Sequence, residues 1–378
     1  MPSLSTFFGD LKDPRRTSHA DHPLLTIVAI VLLSMLCGSK GWEDMHEWAL
    51  IREAWLATFL DLSAGVPSAD TLRRVMAALD PKAFRQGFSA WAQAMASVLP
   101  GLQIAVDGKT MRGSGRAGLP AVHVVRAFAV NNHLVLGQLA TDEKSNEITA
   151  IPDLLKTLAL KGALVTIDAM GCQHAIAQTI VDAGGDYLLA VKDNQPTLHA
   201  ELQTTLGSQK PSSRTSSTFY EQENKGHGRT ERRRVWTETR LQKLELFTSW
   251  VEAHTIVRVE SERHTEQGVS IENRYYLSSR TLTAKQAAEA IRAHWAIENV
   301  CHWSLDVTLG EDDSRIAEGY AAENLSLVRS IVLAALKRRE GKLSKFGKKK
   351  LSMAAIQRVC GWDGETLLEV AGGLFSDC

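Results

Sequence analysis

The sequence predicts an α/β protein in which an all-α N-terminal part precedes a mixed sheet with helices packed on it. Three observations predict it. Up to about Pro100, apolar residues recur every three or four positions, the helical period. At Pro100-Gly101 the texture changes to short β-rich runs in hairpin order, then to alternating helix and strand patterns. From about Gln203 to Glu266 the chain turns polar, and its alternating stretches read as further strands.

A chain of 378 residues is expected to hold two or three domains. The composition shifts place them at 1–98 (helical), 99–340 (α/β, with a β-rich insertion at about 203–280) and 341–378 (a basic C-terminal segment). The run LLTIVAIVLLSMLC is shorter than the ~18–20 residues that span a bilayer and is interrupted by Thr26 and Ser34, so it predicts a buried helix and no membrane partner. Asp80-Pro81 pairs an N-cap with a first-turn proline and starts the helix KAFRQGFSAWAQAMASVL, one of about four expected before Pro100. LQIAVDGKT, HVVRAFAVN and HLVLGQLAT read as three strands, followed by the helix ITAIPDLLKTLAL and the strand ALVTIDAM. The helix HAIAQTIVDAG and the strand DYLLAVKD come next. QKPSSRTSS reads as a loop, and RTERRRVWTE, TIVRVESE and IENRYYLSS as strands. Thr283 caps a helix running through LTAKQAAEAIRAHWAIENVCHWSL, and after the turn GEDDSR another spans AAENLSLVRSIVLAALKRR.

The 43 basic and 43 acidic residues cancel, so any attraction for nucleic acid must be local. KRREGKLSKFGKKK carries eight Lys or Arg against one Glu, and GHGRTERRRVW carries four Arg. As a strand, the latter places Arg232, Arg234 and Trp236 on one face, suited to grip a phosphate backbone or, equally, to guard a sheet edge with charge. Five scattered cysteines with no C-x-x-C pair argue against a disulfide framework or a thiolate zinc site, and predict a reducing cytoplasm. The start MPSLSTFFGDLKDPRR lacks the pattern of a signal peptide.

Two apolar strands end in an aspartate, IAVD at Asp107 and LVTID at Asp168. Each could simply open a turn; on adjacent strands they would form a pair of carboxylates at a sheet rim, repelling each other unless a divalent cation neutralises them. Hard oxygen ligands without thiolates select Mg²⁺. In HWAIENVCHW, helical spacing puts His294, Glu298 and His302 on one broad face, but the H-E-x-x-H zinc pattern is absent. Either the histidines pack and hydrogen-bond in a core, or they serve a site. Glu298, amid Trp, Ile and Val, is costly to bury without a partner, which a cation shared with Asp107 and Asp168 would supply.

The set AVDGKTMRGS, TIDAMGCQ, LLAVKDNQP, GHGRTERR and RAHWAIENVCHWSLDVTLGEDDSR resembles the DDE-type transposases of bacterial insertion sequences, specifically the H-repeat-associated branch. DPRR, HPLLTIVAIVLLSMLCG and GVPSADTLRRVMAALDPKAF resemble the helical domain that precedes the catalytic domain there. The resemblance implies an RNase H-like core in which Asp107, Asp168 and Glu298 hold two Mg²⁺ ions, with Mn²⁺ as a substitute. It implies cleavage of element ends and joining of the 3′-hydroxyl to target DNA by two-metal transesterification. The partners implied are double-stranded DNA, as element ends and target, and a second copy of the chain on paired ends. Where many relatives carry Tyr, Arg, Glu and Lys around the third acid, this chain has Ile291, His294, Glu298 and Leu305, so that His294 or Arg292 would meet the phosphate. Lys109, Lys192, Asn194, Arg229, Arg232 and Arg234 complete the expected DNA contacts. Two other readings remain open, an inactive DNA-binding relative and a metal-dependent endonuclease without strand transfer.

Overall fold

The structure is a computed structural model describing residues 4–16, 20–96, 102–116, 118, 120–141, 147–207, 217–226, 229–241, 249–266, 268–342 and 350–372. Among the described residues the N-terminal part holds six helical segments where the periodicity predicts about four: α1 (Leu4–Phe8), α2 (Leu24–Leu36), α3 (Trp42–Ile51), α4 (Glu53–Leu56), α5 (Ala69–Ala78) and α6 (Pro81–Met95). The two extra pieces, α1 and α4, span about one turn each, too short for a periodic signal. The apolar run forms α2, buried on all sides but at Leu25, and no helix among the described residues is long and apolar enough to cross a membrane. At the start of α6 the Asp80 carboxylate accepts from the Lys82 backbone N–H, with Pro81 in the first turn, as the sequence predicts.

The sheet begins with β1 (Gln103–Thr110), β2 (His123–Ala129) and β3 (Leu134–Thr141), followed by α7 (Glu147–Leu155), β4 (Leu164–Ile167), α8 (His174–Asp182), β5 (Asp186–Val191) and α9 (Pro196–Gly207). Four long strands follow, β6 (Ser217–Gly226), β7 (Arg229–Glu238), β8 (Thr255–Thr265) and β9 (Gly268–Ser278). The chain ends in α10 (Ala284–His294), a π-helical segment (Ile297–His302), α11 (Trp303–Val307), α12 (Ala321–Arg339), α13 (Met353–Trp362) and α14 (Gly364–Ala371). Sequence reasoning overlooked α9, β6, α13 and α14. In α9 the signal was present, since the buried Leu198, Leu202 and Leu206 lie four apart on one face. In β6 the polar run TFYEQENKG gave none.

Among the described residues one nine-stranded sheet runs β3-β2-β1-β4-β5-β9-β8-β7-β6. β1, β4 and β5 are parallel neighbours at its centre; the remaining pairings are antiparallel. The β-rich insertion therefore extends the central sheet, joined where β9 pairs with β5 from Leu188–Ser278 to Val191–Tyr275. Helix α10 lies across this join. Its Ala284, Ala287 and Ala290 pack on Leu164 and Leu188 of the centre and on Val235, Val257 and Tyr276 of the insertion, small residues that let helix and sheet approach closely. On the main core side, α12 packs against α2, α5, α6 and β3 and joins the N-terminal helices to the sheet. Much of the run Lys337–Lys350 lies outside the described residues.

Candidate active site

The two aspartates come from adjacent parallel strands. In the register, Val106 of β1 sits opposite Ile167 of β4, so Asp107 and Asp168 are the next residues on neighbouring strands, at the carboxyl end of β4. Everything before them on the two strands is buried, but only β4 ends at its aspartate: β1, expected to stop at Asp107, continues to Thr110, because Gly108, Lys109 and Thr110 still pair with β2. Asp168 begins a turn, its Oδ1 accepting from the backbone N–H groups of Met170 (3.0 Å) and Gly171 (3.4 Å).

Glu298 arrives from the other side. Helix α10 starts at a reciprocal Thr283–Gln286 cap and stops at Trp295, beyond which Ile297–His302 winds as a π-helix. The longer i→i+5 bonding widens the turn, and such segments favour functional positions. The α-helical period does not hold through the segment, yet His294, Glu298 and His302 all still face the rim that carries the two aspartates. His294 Nδ1 lies 2.9 Å from Thr166 Oγ1, within β4. His302 Nδ1 lies 3.6 Å from Asp107 Oδ2. Glu298 is exposed, and opens with Asp168, Lys192 and His294 into a cleft of about 330 Å³.

The electrostatics are those of an anion excess. Burial and then the charges of Asp168 and Glu298 push the Asp107 carboxyl up to about 7. Glu298 is raised by partial burial and by Asp168, with Arg274 opposing. His302, buried beside Arg126, Lys109 and His123, is held well below the ordinary histidine range, so it meets Asp107 as a neutral ring. Among the described residues, no three His, Cys, Asp or Glu side chains gather tightly enough to hold one metal ion as they stand. The donor set nevertheless fits hard divalent cations: three carboxylates from separate elements whose mutual repulsion added positive charge would relieve.

Residues 100–334 match the family described as "Transposase DDE domain", and residues 5–92 match the one described as "DDE_Tnp_1-associated". The chain belongs to the DDE transposase family. Its α/β sheet is accordingly the family's RNase H-like core. It is 39% identical over 345 residues to "Putative transposase YncI" of Escherichia coli O157:H7, covering 89% of this chain and 88% of the relative. It is 37% identical over 370 residues to "H repeat-associated putative transposase YhhI" of Escherichia coli K12, covering 95% and 96%. Among solved structures, the piggyBac transposase synaptic complex with hairpin DNA aligns over 99% of this chain and 80% of that one, at 11% identity and a TM-score of 0.43.

The basic residues expected around the acids of this transposase are placed unequally. Lys192, directly after β5, is exposed on the rim, and Arg292 is exposed on α10. The Asn194 amide donates to the Ala169 carbonyl (2.5 Å) and ties the loop after β5 to the turn holding Asp168. Lys109 is turned inward, its Nζ 2.6 Å from both Asp306 and Asp312 and 3.7 Å from Glu311, so three carboxylates already surround its charge. Arg232 and Arg234 share a face, as alternation predicts, but meet Glu221, Glu223, Glu260 and Glu262 there. The Arg229 side chain lies outside the described part.

Two features escaped sequence reasoning. The acidic turn GEDDSR closes over Lys109 and the buried Arg126, whose guanidinium is 2.7 Å from Glu311. Behind Gly108, the buried His123 and Glu147 meet at 2.5 Å, and a methyl group at position 108 would overlap both. Nothing in the linear spacing of residues 108, 123 and 147 announces that contact.

Proposed function

We propose that this DDE transposase cleaves the ends of its element and joins the freed 3′-hydroxyl to target DNA, with Asp107, Asp168 and Glu298 holding two divalent cations, Mg²⁺ or Mn²⁺. The convergence of three carboxylates at one rim carries the reading: Asp107 and Asp168 lie side by side on neighbouring strands, and burial, then the charges of Asp168 and Glu298, raise the Asp107 carboxyl to about 7. When bound, such ions would activate the attacking oxygen and stabilise the leaving one. Asp107, within β1, and Asp168, just past the end of β4, would fix one side of the scissile phosphate, and Glu298, exposed on its π-helical turn, the other. His302 keeps Asp107 in a neutral polar contact, without adding a positive charge that would compete with cations. Lys192, in the cleft with Asp168 and Glu298, and Arg292, in the adjoining cleft, would be phosphate contacts.

In the first step a water oxygen bonds to phosphorus and the 3′-oxygen leaves, taking a proton to become the hydroxyl. In the second that hydroxyl attacks a target phosphate, loses its proton, and displaces the target 3′-oxygen. Both steps exchange one P–O bond for another and need no covalent enzyme intermediate. We place them within the 99–340 unit, on double-stranded DNA, with a homodimer on paired ends.

The test uses linear DNA carrying the element's terminal repeats together with a target plasmid and Mg²⁺, and compares the wild type with Asp107→Ala, Asp168→Ala and Glu298→Ala. Loss of both nicked and joined products in all three is expected. A variant that still joins ends removes its residue from the site. Nicking without joined products by the wild type would make the protein an endonuclease without strand transfer.

A further inference from the structure

The two faces of the β6–β9 extension carry charge differently. On one face Arg232 is matched by Glu221 (3.5 Å) and Glu223 (3.0 Å), and Arg234 by Glu221 (3.4 Å), Glu260 (2.6 Å) and Glu262 (2.8 Å). On the other face Arg233 and Arg263 share Glu231 (2.8 and 3.6 Å), and Arg274 meets Glu272 (2.8 Å). Across from this second face, Arg292 of α10 makes no ion pair among the described residues. Four guanidiniums thus line a space that holds two carboxylates.

That space is a cleft of about 540 Å³ between the sheet face and α10. It adjoins the cleft containing Asp168 and Glu298, and Arg274, Tyr276, Ile291 and Trp295 line both. At the junction Trp295 is 37% exposed, and the Arg274 guanidinium lies 5.4 Å from its ring centroid.

We propose that this cleft holds the sugar–phosphate backbone of the DNA strand whose scissile phosphate lies at the carboxylates, gripped by Arg233, Arg263 and Arg292, with Trp295 stacking at the junction. The proposal rests on the reading of Asp107, Asp168 and Glu298 as a phosphodiester-cleaving site. A polyanion brought to three carboxylates meets repulsion, and a neighbouring surface with surplus guanidinium offsets it. The volume is in the range of small-ligand pockets, which suits a short stretch of one strand and not a duplex. An exposed indole flanked by Arg is the stacking platform that single-strand binders use. The face that alternation singled out, with Arg232 and Arg234, is already neutralised by its own glutamates.

The test is fluorescence anisotropy with a fluorescein-labelled duplex bearing a 3′ thymidine tail, titrated between about 50 and 200 mM salt, the range over which phosphate contacts are strongly screened. Compared are the wild type, Arg292→Ala, Arg292→Lys, Arg233→Ala with Arg263→Ala, and Arg232→Ala with Arg234→Ala. Thermal melting confirms that each variant is folded. The slope of log affinity against log salt should fall by ~0.7 for each cleft arginine that meets a single-strand phosphate. Arg292→Lys should restore it, and the Arg232/Arg234 double variant should keep the wild-type slope. Unchanged slopes in the cleft variants, or an equal fall in the Arg232/Arg234 variant, would overturn the proposal. A cleft-dependent slope supports it whether or not the wild type cuts; absence of cutting would overturn the carboxylate reading alone.

Discussion

Replacing Asp107 by Asn should stabilise the metal-free protein at alkaline pH while abolishing its chemistry. In the fold, burial and the charges of Asp168 and Glu298 raise the carboxyl from 3.8 to about 7. Below pH 3.8 the group is protonated in both folded and unfolded chains and contributes nothing. Between 3.8 and about 7 the unfolded chain gives up the proton and the folded one keeps it, so stability declines as pH rises. Above about 7 the full penalty is present. At ~1.4 kcal/mol per tenfold the shift corresponds to roughly 4 kcal/mol, an upper bound because part of it comes from charged neighbours and not from burial alone. Urea unfolding in EDTA at pH 5 and pH 8 reads it directly, with roughly 1–3 kcal/mol per molar urea converting midpoints to free energies. The Asp107→Asn variant should gain on the wild type between the two pH values. Saturating Mg²⁺ should then restore the wild type, by ~2.7 kcal/mol at one hundred times its dissociation constant, and do far less for the variant. A wild type as stable as the variant in EDTA at pH 8, or equal Mg²⁺ stabilisation of both, would refute the picture of three mutually repelling carboxylates awaiting cations.

Two further substitutions probe what surrounds the acids. Lys109→Met should lower stability by about 2 kcal/mol, less than the ~3–5 of a fully buried pair because Asp306 and Asp312 are partly exposed. The urea midpoint measures this; a variant of wild-type stability with a reduced salt slope for DNA binding would instead make Lys109 a phosphate contact. Gly108→Ala should cost about 1–3 kcal/mol, because the new methyl group overlaps the His123–Glu147 pair, and should suppress strand cleavage by displacing Asp107. Unchanged melting temperature and cleavage would show that the strand end has room to shift.

The parts of the fold written in short-range pattern were legible, and the parts set by long-range pairing were not. Buried apolar runs ending in Asp gave β1 and β4, and the cap at Asp80-Pro81 gave the start of α6, because each signal lies within a few residues. The joining of the insertion to β5 is different, since the register between Val191 and Tyr275 is written in no local stretch. The acidic partners of Arg232, Arg234 and Lys109 were hidden for the same reason. Alternation correctly places Arg232 and Arg234 on one face of β7, but only the strands on either side decide that this face is also where Glu221, Glu223, Glu260 and Glu262 stand. Likewise Lys109 lies two residues from Asp107 in sequence, yet its partners come from a turn some two hundred residues later.

The segment HWAIENVCHW shows the limit most sharply. Its four-residue spacing suggests a regular α-helical face; the structure keeps the three side chains toward the aspartates but winds Ile297–His302 as a π-helix, which no local pattern announced. With the turn widened, His302 reaches toward Asp107 on β1, His294 hydrogen-bonds Thr166 on β4, and Glu298 is left open in the cleft with Asp168. One short segment thereby touches both strands that carry the aspartates and presents the third carboxylate between them.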